Sequence, residues 1–173
     1  MTNPLISATD LLARLSGAAP RPLVFDCSFD LSDTQAGERN HAAAHVPGAQ
    51  YLHLDRDLSA AKTGLNGRHP LPTREAFAAR LGALGVGTGS SVVLYDASGC
   101  MYAARAWWML LWLGHADVQV LDGGLAAWKA AGGAVEAGAV PAPAAQAFAL
   151  RPSLVAAVDH ATLRAGQIGR AHV

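Results

Sequence analysis

Ser91-Val-Val-Leu-Tyr95-Asp-Ala-Ser-Gly-Cys100-Met-Tyr-Ala-Ala-Arg105-Ala-Trp-Trp-Met-Leu-Leu-Trp-Leu-Gly114-His-Ala-Asp-Val118-Gln-Val-Leu121-Asp-Gly-Gly-Leu125-Ala-Ala-Trp128 decides the fold. Val92–Tyr95 is a short, β-branched apolar run of the kind that forms a buried strand. The loop 96–100 then leads into a helix predicted over 101–113, with Gly114 as its cap. Val118–Leu121 is a second buried run, and Asp122-Gly-Gly124 turns it into a helix over 125–131. Strand, helix, strand, helix at this spacing means βαβ units and a mainly parallel sheet.

The same grammar extends towards the N-terminus. Ser7-Ala-Thr-Asp10 has the capping form that opens a helix, and Leu11, Leu12 and Leu15 give that helix an apolar stripe up to Gly17. Leu23-Val-Phe25 reads as a buried strand and Gln50–Leu54 as another, entered through the turn His45-Val-Pro-Gly-Ala49. Phe77, Leu81 and Leu84 mark a helix over 73–84 stopped by Gly85. The stretch 28–39 is polar and aperiodic, and 56–72 reads as an ordered loop. The expectation is an α/β domain with a central, mainly parallel sheet and helices on both faces, spanning residues 4–135.

Beyond Gly132 the pattern changes. Pro141, Pro143, Pro152 and many alanines leave no period of either kind, so 136–152 reads as an Ala/Pro-rich linker, and 136–173 is expected to stay mobile. Residues 153–166 resemble the opening of another amphipathic segment. Gln167–Val173 reads as a non-native tail, in the manner of a translated adapter, and is set aside from the fold.

Composition removes several function classes. The chain has 173 residues with 13 basic and 13 acidic side chains, and a neutral balance argues against nucleic-acid binding. The most apolar stretch, 106–113, has 8 residues where a membrane span needs about 20, so no membrane association is expected. Met1-Thr-Asn-Pro4 lacks the basic and apolar regions of a secretion signal. Two cysteines, Cys27 and Cys100, build no disulfide framework, which points to a reducing, cytoplasmic setting.

Sites in open parallel sheets form beyond the carboxyl ends of the strands. That selects Asp26-Cys27, Asp55, Asp96–Cys100 and Asp122-Gly-Gly124. A cysteine at the first position after Tyr95 would sit at a helix N-terminus as an activated nucleophile, but that position is Asp96. An aspartate there caps the helix. Cys100-X4-Arg105 falls one residue short of the Cys-X5-Arg cradle of thiol phosphatases, which counts against phosphoryl chemistry. His41 and His45 lie at i, i+4 without a third ligand, so no metal is expected. Gly85-Val-Gly-Thr-Gly89 follows a helix and precedes a strand, the reverse of a phosphate-binding loop. Trp107, Trp108 and Trp112 are read as core or interface packing.

Glu38-Arg39-Asn-His-Ala-Ala-Ala-His45-Val-Pro-Gly-Ala49 resembles the "H-I-P-G-A" signature of rhodanese domains. Val92–Gly99 followed by Ala104-Arg105-Ala-Trp107-Trp108-Met109-Leu110 is similar to the active-loop region in the first domain of two-domain sulfurtransferases. Leu121-Asp-Gly-Gly-Leu125-Ala-Ala-Trp128 resembles their "L-x-G-G-x-x-x-W" segment. Leu52–Ser59 with Gly67-Arg68-His69-Pro70-Leu-Pro72 is similar to the bacterial branch. The resemblance implies a thiosulfate or 3-mercaptopyruvate sulfurtransferase whose second rhodanese domain carries sulfur as a cysteine persulfide, for transfer to a thiol or cyanide.

It further implies that this chain is the non-catalytic first domain, truncated at the start of the second. Asp96 stands at the nucleophile position, so no catalytic residue is expected in this chain. His45, Arg39, Asp96 and Arg105 are then expected beside the cleft, with His45 assisting proton transfer or orientation. A small-molecule sulfur donor, a thiol acceptor and the second domain are the implied partners, with no cofactor. The other class of reading is a stand-alone, non-catalytic rhodanese-like binding or regulatory module.

Overall fold

The computed structural model describes residues 3–18, 20–141, 143–158 and 160–167. Five strands, β1 (Leu5–Ile6), β2 (Leu23–Asp26), β3 (Gln50–Tyr51), β4 (Val92–Tyr95) and β5 (Val118–Leu121), form one sheet in the order β1-β5-β4-β2-β3. Every pairing is parallel, with Leu5 opposite Val120, Val24 opposite Val93, Leu94 opposite Val120 and Phe25 opposite Gln50. The helices are α1 (Ala8–Ser16), α2 (Ala36–Ala43), α3 (Arg74–Ala83), α4 (Met101–Trp112), α5 (Gly124–Ala130) and α6 (His160–Gln167).

Strands buried on both faces must be apolar throughout, and β4 is fully buried from Val92 to Tyr95. Alternate strand residues therefore feed two cores. Phe25, Val92, Leu94 and Val120 meet α3 and α4 through Phe77, Leu81, Met109 and Leu110. Val24, Val93, Tyr95 and Leu121 meet α1 and α5 through Leu11 and Trp128. Helices cover both faces of the sheet, as the sequence predicts.

Local signals account for the helix ends. Ser7 Oγ accepts from Asp10 N at 3.1 Å and Thr73 Oγ1 accepts from Ala76 N at 3.2 Å, so both helices start at a hydroxyl cap. Three elements depart from the sequence reading. The Gln50–Leu54 run pairs only at Gln50–Tyr51 before the chain turns away, α2 starts inside the polar stretch and runs past its end, and Leu5–Ile6 adds β1 at the sheet edge.

The Ala/Pro-rich segment is extended, as its composition implies, but it is tied down. Glu136 and His45 exchange two backbone hydrogen bonds of 2.9 Å, and Gly138 N donates to Ala42 O. Further along, Gln146 N donates to Gly82 O, Arg151 N to Leu113 O and Leu154 N to Leu111 O. Phe148 packs on the α3/α4 core and lies 5.8 Å from the His115 ring. Gly114 (φ +83°) makes room for this strap, since a Cβ there would lie 2.6 Å from both Arg151 Cβ and Pro152 O. The expected mobility of this stretch is thus replaced, over 143–154, by main-chain docking. Of the segment 167–173 that the sequence reads as a non-native tail, residues 168–173 lie outside the described residues.

Candidate active site

Parallel strands bring the loops after β2, β4 and β5 to one edge of the sheet, and the long connection 52–72 folds over the same edge. Ser28 joins the first two loops: its N–H donates to Asp26 Oδ1 at 2.8 Å and its Oγ accepts from Ala97 N at 3.1 Å. The loop after β4 closes around Asp96. Oδ1 accepts from Ser98 N (2.7 Å) and Cys100 N (2.9 Å), and Oδ2 accepts from Tyr102 N and Ala103 N (2.8 Å each). Asp96 is 3% exposed. The predicted cap is therefore present, and it binds four N–H groups where an ordinary cap binds one or two.

The thiols sit apart from that cradle. Cys27 is completely buried, and burial first, then the carboxylates of Asp26, Asp96 and Asp57, push it well above the ordinary thiol range. Cys100 adopts a left-handed conformation (φ +69°), and its Sγ lies 3.8 Å from Leu121 O. Partial burial and the carboxylates of Asp96 and Asp122 raise its pKa as well. Neither group is a thiolate at neutral pH, and thiolate is the nucleophilic form.

A second cluster is built by the loop 52–72 against α4. Phe29 lies at its centre, with the rings of His53, Tyr102 and His69 edge-on at 5.2, 5.7 and 6.4 Å. His53 Nε2 donates to Thr34 O while its Nδ1 accepts from Asp55 N and Arg56 N, which fixes the neutral tautomer. His69 Nδ1 donates to Asp55 Oδ1 at 3.1 Å, leaving a buried Nε2 without a hydrogen-bond partner. Burial pulls the Asp55 carboxyl up, yet Lys62 (3.2 Å) and His69 outweigh it and leave its pKa below the usual value. Arg105 reaches across from α4. Its Nε and Nη2 donate to Leu58 O (3.2 and 2.9 Å), and Nη2 also donates to His69 O (3.0 Å). No carboxylate pairs with this half-buried guanidinium among the described residues, and desolvation lowers its pKa.

Of the four residues expected at the cleft, Asp96 and Arg105 lie at this edge, on the loop and on α4. His45 is completely buried. Its Nδ1 donates to His41 O at 2.7 Å, its ring stacks on His41 at 4.1 Å, and Nε2 faces Glu136 at 3.8 Å. It presents no surface to a substrate and instead backs the Glu136 bridge. Arg39 is on the solvent side of α2, paired with Asp33. His41 and His45 do not form a metal pair, because His41 Nδ1 approaches Asp26 Oδ2 (3.3 Å) and the rings lie face to face. Among the described residues no three His, Cys, Asp or Glu side chains converge as ion ligands. No helix among them is long and apolar enough to cross a membrane.

The sequence reading selected Asp55 as a strand-end position but not its partner His69. Fourteen residues separate the two within an aperiodic loop. For His69 the signal was the Gly67–Pro72 part of the match to the bacterial branch.

The sequence profile described as "Rhodanese-like domain" matches residues 7–131. This chain belongs to the rhodanese family. A Pseudomonas aeruginosa protein named "Probable 3-mercaptopyruvate sulfurtransferase" is 47% identical over 168 residues, which is 96% of this chain and 58% of that protein. A mitochondrial thiosulfate/3-mercaptopyruvate sulfurtransferase of Arabidopsis thaliana is 42% identical over 139 residues, 80% of this chain and 35% of its own length. Among solved structures, the 3-mercaptopyruvate sulfurtransferase of Leishmania major superposes with a TM-score of 0.74 at 30% identity, covering 87% of this chain and 41% of that one. SseA from Escherichia coli gives 0.71 at 28% identity, covering 87% and 58%. The rhodanese chain described here spans between a third and three fifths of the length of these relatives.

Proposed function

We propose that this chain is the first, non-catalytic domain of a two-domain cytoplasmic sulfurtransferase that uses thiosulfate or 3-mercaptopyruvate. The observation that carries the reading is Asp96: the place from which a thiolate would attack holds a carboxylate, bonded to four backbone N–H groups, while both thiols of the chain are protonated and lie elsewhere. A carboxylate forms no persulfide, and its charge repels an anionic donor. The chain covers 58% of the Pseudomonas and Escherichia coli relatives, whose remaining length leaves room for a second domain in the parent protein.

On this reading a cysteine of the second domain attacks the outer sulfur of the donor. An S–S bond forms, the donor's bond to that sulfur breaks, and sulfite or the enolate of pyruvate leaves. The enolate takes up a proton, and a thiol or cyanide later removes the outer sulfur. This chain supplies one wall of the cleft. Arg105 carries a positive charge with no acidic partner among the described residues, suited to anionic donors. Asp55 holds the His69 ring by Nδ1 at 3.1 Å, which fixes that ring against Phe29 at the same edge.

The test is a sulfurtransferase assay on the purified 173-residue chain, with thiosulfate and cyanide or with 3-mercaptopyruvate and a thiol. No turnover above buffer is expected. Turnover lost in Cys100→Ser would overturn the assignment of Asp96 to the nucleophile position. Turnover surviving in that variant would move the site to Cys27.

A further inference from the structure

The loop 96–103 offers Asp96 donors and no acceptor. Its four N–H groups arrive in two pairs, one pair on each carboxylate oxygen. No other uncharged or shorter side chain meets that demand. An asparagine has one acceptor oxygen, and its NH₂ would face two N–H groups head-on. No lysine or arginine forms an ion pair with Asp96 among the described residues, so backbone dipoles alone compensate its charge.

Two further features depend on this arrangement. Cys100 holds a left-handed conformation, the one non-glycine residue with positive φ among the described residues, and its N–H is one of the four donors. Tyr102, whose N–H is another, packs its ring against Phe29 in the cluster that contains His69.

We propose that Asp96 is a positioning residue that serves as the loop's fixed internal anion: it holds 97–103 in shape, sets the Tyr102 ring beside Phe29, and closes the loop to free oxyanions. This rests on loop geometry and stands apart from whether the parent protein transfers sulfur. Because Asp96 is 3% exposed, no second anion shares the cradle with it.

The experiment is amide NMR with hydrogen exchange on the full chain, comparing wild type, Asp96→Ala and Asp96→Asn in sodium formate and in sodium chloride of equal ionic strength. Formate replaces the carboxylate that alanine lacks. In Asp96→Ala the amides of Ser98, Cys100, Tyr102 and Ala103 should exchange at least tenfold faster than in wild type. Formate, but not chloride, should saturably return their shifts and protection, while wild type ignores both salts. A purely space-filling role would not respond to formate. Formate and chloride acting alike on the four amides would overturn the proposal. If Asp96→Ala does not fold, Asp96→Asn decides: one pair of amides should keep its protection and the other lose at least tenfold, and wild-type protection at all four would refute the need for an anion.

Discussion

Replacing Gly114 by alanine separates the strap from the rest of the fold. Two costs arise. Alanine in the left-handed region costs about 1–2 kcal/mol. The new Cβ would also stand 2.6 Å from Arg151 Cβ and Pro152 O, so the strap must lift. Lifting breaks the Arg151 N–Leu113 O and Leu154 N–Leu111 O bonds, at about 1 kcal/mol each. Gly114→Ala should therefore lose about 3–4 kcal/mol. Gly132 is the control, since it has φ +82° and nothing within 4 Å of its would-be Cβ. Gly132→Ala should lose only the conformational part, about 1–2 kcal/mol. Urea unfolding of both variants measures the difference, which for a chain of this size is a gap of roughly 4–8 °C in Tm. Limited proteolysis should find new cuts within 143–154 in the Gly114 variant alone. Equal destabilisation of the two variants, to within about 0.5 kcal/mol, would refute the claim that the strap contributes to stability.

His115 is buried, and desolvation lowers its pKa from 6.5. The unfolded chain then binds the proton more readily, so stability falls as pH drops from 6.5 towards the lowered folded value, and urea midpoints of His115→Gln should show a shallower slope in that window. Asp55 has the same sign at lower pH: its depressed pKa gives stability that is present above about pH 4 and lost below it, and Lys62→Ala should shift that loss to higher pH in acid titrations. Leu81→Ala, at a fully buried position of α3, should cost about 2–5 kcal/mol by urea unfolding. Alkylation by iodoacetamide at pH 7 should modify Cys100 no faster than a free cysteine, and Cys27 only after unfolding.

The legible elements were those whose signal is local. β4 and β5 were delimited to the residue because a strand buried on both faces is apolar along its whole length, and the starts of α1 and α3 because a hydroxyl marks each cap. α2 was illegible because it has no apolar stripe. Its buried residues are Gly37 and His41, and it sits close because Gly37 lies against Ser28 O, where a Cβ would collide. β1 has two residues, too few to show a period. The strap was missed because main-chain hydrogen bonds hold it, and these leave no mark on side-chain composition. At the site, Asp96 was legible from its place after a buried strand. His69 was not, because its role follows from Asp55 across a loop without periodicity. The expectation for His45 came from a motif whose histidine faces inward, stacked on His41.

The pairing of β1 with β5 joins the beginning of the domain to its end: Val120 N donates to Pro4 O and Asp122 N to Ile6 O, with Leu5 opposite Val120. During synthesis the first strand has no partner until more than a hundred further residues have been made. At about 5–20 residues per second that is a wait on the order of ten seconds, followed by a tunnel transit. Until then α1 cannot settle, because the sheet face it covers is missing β4 and β5. β1 thus waits for β5 before it can be placed, and a chaperone that shields Leu5, Ile6 and Leu11 over that interval would raise the yield of folded protein. Shortening the chain by its first seven residues should leave the open edge of β5 free to pair with another molecule.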